Sequence, residues 1–128
     1  MCIYGTDEEA AEVAAIARNL PYYEIIDPSL LQNDADRSDD GMRFFFRVIN
    51  YCHAVVFSKL LGAVTAGVGL EVNHALNKQL PVYQLENGRV ARITRSVQFL
   101  SREETIKQYN AWRSARHPAG TRFRIQKV

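Results

Sequence analysis

Between His53 and Leu85 the sequence passes from an unbroken apolar stretch, "HAVVFS", through the loop "KLLGAVTAG" and an amphipathic segment to a second apolar stretch, "PVYQL". Few folds accept that order. An apolar run without alternation suits a strand covered on both sheet faces. From about Gly67 to Lys78 the residues Val68, Val72, Ala75 and Leu76 form one inner helical stripe. Strand, helix and strand at this spacing predict a three-layer α/β arrangement with a mainly parallel sheet. Ligands of such sheets bind beyond the carboxyl ends of the strands, so the loops after strands one, three and four are where a site is expected.

The rest of the chain extends the pattern. "CIYG" reads as a first strand, and Thr6 with Glu9 makes a capping box for a helix from about Asp7. Val13, Ile16, Ala17 and Leu20 share one face of that helix, and Pro21 stops it. "YYEIID" reads as a second strand, followed by the polar connection "PSLLQNDADRSDD". From about Asp40 a helix is predicted with Met42, Phe45, Phe46 and Ile49 on one stripe. "ENG" turns "PVYQL" into a fifth strand, "RVARIT", in a hairpin-like way. "SREE" repeats the capping box ahead of a last helix, roughly Arg102 to Arg116.

Composition narrows the function classes. The 128 residues suffice for one domain with a buried core, and 47% hydrophobic with 23% charged residues is an ordinary globular balance. Cys2 and Cys52 form no CxxC and have no neighbours at zinc spacing, so no metal, cofactor or disulfide framework is expected. The apolar start reads as a strand rather than a leader, and no run reaches membrane-spanning length. A soluble, cytoplasmic protein with no membrane partner is expected. Charge is uneven: residues 1–88 hold 6 Lys/Arg against 12 Asp/Glu, and residues 89–128 hold 10 against 2. The basic C-terminal helix and tail, about 101–128, fit a solvated or subunit-contacting surface better than a nucleic-acid site, because few stacking aromatics accompany them.

The glycine turn "TAGVG" carries the chemistry. A helix entered there offers unpaired N–H groups, the positive end of the helix dipole and the Thr65 hydroxyl, which together suit a phosphate. Two glycines at such a turn are equally well explained by tight packing or positive φ. Glu71 lies on the flank of the inner stripe, one turn from Val68 and from Ala75. It reads either as a favourable charge near a helix start or as a nucleophile held beside a phosphate site.

Residues Cys52 to Tyr83 resemble the core motif of the nucleoside 2-deoxyribosyltransferase superfamily, which includes the deoxynucleoside 5'-monophosphate N-glycosidases. The resemblance implies a Rossmann-like (flavodoxin-like), mainly parallel five-stranded sheet and a nucleoside or nucleotide substrate. Glu71 matches the nucleophile, Thr65 the phosphate-binding hydroxyl, and Gly67 and Gly69 the turn that brings backbone amides to the phosphate. Gly5 and Thr6 match small residues beside the sugar. The helix before the third strand shows "RFFFRV" where the family usually has an Asp, which leaves Asp40, and behind it Asp39 and Arg43, to assist the leaving base. His53 stands where an Asp commonly opens that strand.

These readings give an N-glycosidase or deoxyribosyltransferase acting through Glu71. The alternative is a catalytically inactive nucleotide-binding or interaction module. His74 is expected on the solvated face of its helix, and Leu70 on the same face hints at a homo-oligomer, dimer or higher, as is common in the family.

Overall fold

A computed structural model describes residues 7–26 and 42–116. Its elements are α1 (Asp7–Asn19), α2 (Met42–Asn50), β1 (Val55–Ser58), α3 (Ala66–Asn77), β2 (Val82–Glu86), β3 (Arg89–Ile93) and α4 (Arg102–Arg116). Among them no helix is long and apolar enough to cross a membrane. The strand–helix–strand unit forms as the pattern of apolar runs dictates. β1 and β2 pair in parallel from Val55 opposite Val82 to Ser58 opposite Leu85, with α3 as the crossover.

β3 returns antiparallel to β2. Between the paired residues Glu86 and Arg89 only Asn87 and Gly88 remain, and both have positive φ, 52° and 76°. That is the backbone a tight Asn-Gly hairpin turn needs, and glycine and asparagine adopt it at least cost. A two-residue connection reverses the chain, whereas a parallel partner requires a crossover of a dozen residues or more.

Among the described residues the sheet is therefore three-stranded and mixed, in the order β1-β2-β3. This corrects the expected mainly parallel five-stranded sheet. Two of the five expected strands account for the difference. "CIYG" and the end of "YYEIID" lie outside the described residues, while Tyr22 to Ile26 pair with no strand. Tyr22 is 98% exposed and Ile26 52% exposed, and the Tyr23 N–H donates back to the Leu20 carbonyl in a turn. An apolar run is a strand only when a neighbour accepts its backbone groups, and this one has none among the described residues.

The core lies between the sheet and helices α2 and α3. Ile49, Phe57, Val64, Val72, Ala75 and Val82 are buried together, with Val68 and Leu76 packed against them. All four residues of the predicted α3 stripe are in this cluster. On α1 the buried residue is Ala15, while Ala17 is exposed, so the helix is rotated from the expected face. Asn19 Nδ2 donates to the Gly88 carbonyl at 2.9 Å, which fastens α1 to the hairpin turn.

The connection from β3 to α4 is held by side chains. Asn73 of α3 donates to the Val97 carbonyl at 3.1 Å and accepts from the Val97 N–H at 2.9 Å, replacing a strand partner for that residue. Ser101 and Glu104 then form the capping box read in "SREE": the Glu104 N–H donates to Ser101 Oγ, and the Ser101 N–H donates to Glu104 Oε1. The Ser101 N–H, and after it the Ser101 hydroxyl, stabilise the Glu104 carboxylate and hold its pKa below the ordinary range.

Candidate functional site

Helix α3 begins where the glycine turn predicts. Thr65 is its N-cap residue, with extended backbone at φ −72° and ψ 162°, and its carbonyl accepts the first helical bond from Gly69 N–H at 2.9 Å. Its side chain caps nothing. The cap comes instead from α4, where Thr105 Oγ1 accepts the Ala66 N–H at 2.9 Å. Thr105 is buried, and one helical position before Tyr109's turn the Gln108 amide donates to the carbonyls of Leu60 and Leu61 at 2.9 and 2.8 Å. Leu100 N–H adds a bond to the Val64 carbonyl at 2.9 Å. The basic last helix is thus fastened across the loop that leads into α3.

One expected result follows. Thr105→Val keeps the shape and removes the acceptor, so the Ala66 N–H is left unsatisfied in a part-buried place. A loss of about 1–2 kcal/mol is expected in urea unfolding. Thr105→Ser, which keeps the hydroxyl, should recover most of it.

The two glycines serve different ends. A Cβ on Gly69 would run into the Phe99 side chain at its own Cβ and Cγ, so this glycine exists to let the segment after β3 pack onto α3. A Cβ on Gly67 would meet nothing within 4 Å. Gly67 remains the glycine with space in front of it.

Glu71 is half-buried on α3. It lies one turn before His74 and one turn from the core residues Val68 and Ala75. Burial pushes its carboxyl up from 4.5 to about 7. Among the described residues it has no hydrogen-bond or ionic partner to offset that desolvation. His74 itself is half-buried rather than solvated as expected. Its ring stacks on Phe46 at 4.5 Å between centroids, and its Nε2 lies 3.0 Å from Asn50 Oδ1. The periodicity placed it opposite the core, but α2 covers that side.

Of the residues singled out in the sequence, Thr65, Gly67, Gly69 and Glu71 therefore share the first two turns of α3. Gly5, Thr6, Asp39 and Asp40 lie outside the described residues. Arg43 and His53 are exposed. Among the described residues no three His, Cys, Asp or Glu side chains gather closely enough to hold a metal ion. Cys52 donates to the Val48 carbonyl at 3.3 Å, and burial raises its thiol pKa.

A groove of about 430 Å³ opens elsewhere, between α1 and the carboxyl ends of β1 and β2. Glu12, Arg18, Ser58, Lys59 and Glu86 line it, and Glu71 and Thr65 do not. Gln84 and Asn87 line it as well, and none of these polar side chains was singled out in the sequence as a binding group. The available signal was the small pair Ala11 and Ala15, one turn apart and flanked by Glu12 and Arg18, which leaves a helix unable to fill the space beside it. No family model, curated protein or solved structure matches this chain.

Proposed function

We propose that this chain cleaves the N-glycosidic bond of a nucleoside or nucleotide, with Glu71 attacking the anomeric carbon of the sugar. The observation that carries the reading is a carboxylate withdrawn from water, unpartnered among the described residues, in the second turn of a helix entered through a glycine turn. Unpaired buried acids are costly, and they concentrate where chemistry needs a perturbed pKa. The likeness of residues 52–83 to the deoxyribosyltransferase motif supplies the substrate class.

The step balances simply. A Glu71 oxygen forms a bond to the anomeric carbon as the carbon–nitrogen bond breaks, and the base leaves with the electron pair and takes a proton from water. Water, or a second base in a transferase, then displaces the ester. With the Thr65 hydroxyl uncommitted as a cap and Gly67 open, the α3 start has room to hold a phosphate.

A second reading is favoured by a specific observation. Thr105 Oγ1 occupies the Ala66 N–H and the Thr65 carbonyl already takes the Gly69 N–H, so fewer amides face outward than a full phosphate cradle offers. That suits a nucleotide-binding or interaction module without turnover.

Base release separates the two. Wild type and Glu71→Gln are incubated with deoxynucleosides and their 5'-monophosphates, with and without an acceptor base, and the products are resolved by chromatography. The nucleophile must be ionised, so release should rise with pH through about 7. Glu71→Gln should lower it by about a thousandfold or more. Release that falls above pH 7 would make Glu71 a proton donor instead, and stabilisation by nucleotide without release would favour the binding module.

A further inference from the structure

We propose that the groove between α1 and the carboxyl ends of β1 and β2 binds a small phosphomonoester with free hydroxyls, its phosphate held by Arg18 and Lys59 and its hydroxyls by Glu12 and Glu86. The site goes beyond the reading of Glu71 and does not rest on it, since none of the α3 residues lines the groove.

Position is the first ground. Parallel strands end together at Ser58 and Leu85, and the space beyond paired strand ends is where α/β sheets take ligands. Size is the second: about 430 Å³ falls within the range of about 300–1,000 Å³ usual for small-molecule sites. Ala11 and Ala15 keep the helix wall shallow, and Leu85 adds an apolar floor.

The polar groups define the ligand. Arg18 comes from the last turn of α1 and Lys59 from the end of β1, so two cations approach one concavity from different elements. Among the described residues neither has an ionic partner. Both are exposed and able to reach an incoming anion. Glu12 and Glu86, the latter accepting from Gln84 Nε2 at 3.4 Å, are acceptors that neutral hydroxyls satisfy without bringing a further negative charge beside them. Two cations and two anions leave the lining without net charge, so one phosphate with neighbouring hydroxyls fits it better than a polyphosphate or inorganic phosphate. The walls are set beforehand: Asn19 bonds both the Ala15 carbonyl at 2.8 Å and the Gly88 carbonyl at 2.9 Å, tying the helix to the turn.

Calorimetric titration of the full chain tests this, with ribose 5-phosphate, a nucleoside 5'-monophosphate, the parent nucleoside and inorganic phosphate as probes. At least one phosphomonoester should bind, about tenfold or more tighter than the nucleoside or inorganic phosphate. Comparing the first two probes tells a sugar phosphate from a nucleotide. Arg18→Ala with Lys59→Ala should weaken binding by about tenfold or more, whereas Arg95→Ala, which removes an exposed cation outside the groove, should leave it unchanged. Both cationic residues are exposed, and circular dichroism checks that the double variant keeps its fold. Failure of both phosphomonoesters to bind would overturn the proposal. So would undiminished affinity in the folded double variant, or an equal loss in Arg95→Ala, which would make the effect one of overall charge rather than of the groove.

Discussion

Glu71→Gln should stabilise this protein at pH 8 and leave it nearly unchanged at pH 4. Burial raises the folded-state pKa to about 7, above the ordinary 4.5. A carboxyl raised in the folded state contributes stability that is fully present below about 4.5 and is lost as pH climbs through about 7. The full difference corresponds to about 3 kcal/mol. Because Glu71 keeps part of its surface in water, a gain of about 2 kcal/mol is the expected result. Urea unfolding at the two pH values measures it. Equal stabilisation at both would show that the residue's shape, not its charge, matters at this place.

The second large effect concerns the glycines. Gly69→Val should cost about 3 kcal/mol or more, because the new side chain meets Phe99 at its root, where no rotamer change can remove the overlap. The segment from Val97 to Leu100 would have to retreat, breaking the Asn73 clamp and the Leu100–Val64 bond. Gly67→Ala, two residues earlier in the same helix, should be neutral or stabilising by up to about 1 kcal/mol, since its added methyl meets nothing. A variant that gains stability and loses nucleotide affinity would locate the ligand at Gly67. Thermal unfolding of both variants distinguishes a glycine needed for packing from one with open space.

Much of the local structure was legible in the sequence. The helix from Ala66 to Asn77 keeps its inner stripe, "ENG" makes its hairpin, and "SREE" makes its capping box, because each depends on neighbours a few residues away. What depends on distant parts was not legible. Tyr22 to Ile26 have the composition of a strand, but nothing in their own residues says whether a partner edge exists. His74 lies off the core stripe and is still covered, since α2 packs on a second side of α3.

The site divides in the same way. Glu71 stood out because a carboxylate beside an apolar stripe breaks the local pattern, and the desolvation expected of such a place is what raises its pKa. Thr105 and Phe99 are remote in sequence from the turn they cover, so neither could be foreseen as a cap or a lid on the α3 start. The groove is built by α1, the two parallel strands and the hairpin turn, whose polar residues are individually ordinary. Only the topology gathers them.

The role of Glu71 is tested most directly by trapping the covalent intermediate. A 2'-fluorinated nucleoside or nucleotide slows charge development at the anomeric carbon and prolongs a glycosyl ester. After incubation and digestion, mass spectrometry should find the added sugar on the peptide that contains Glu71, and none in Glu71→Gln. A sugar adduct on another residue, or no adduct under conditions where wild type releases base, would contradict the assignment of Glu71 as nucleophile.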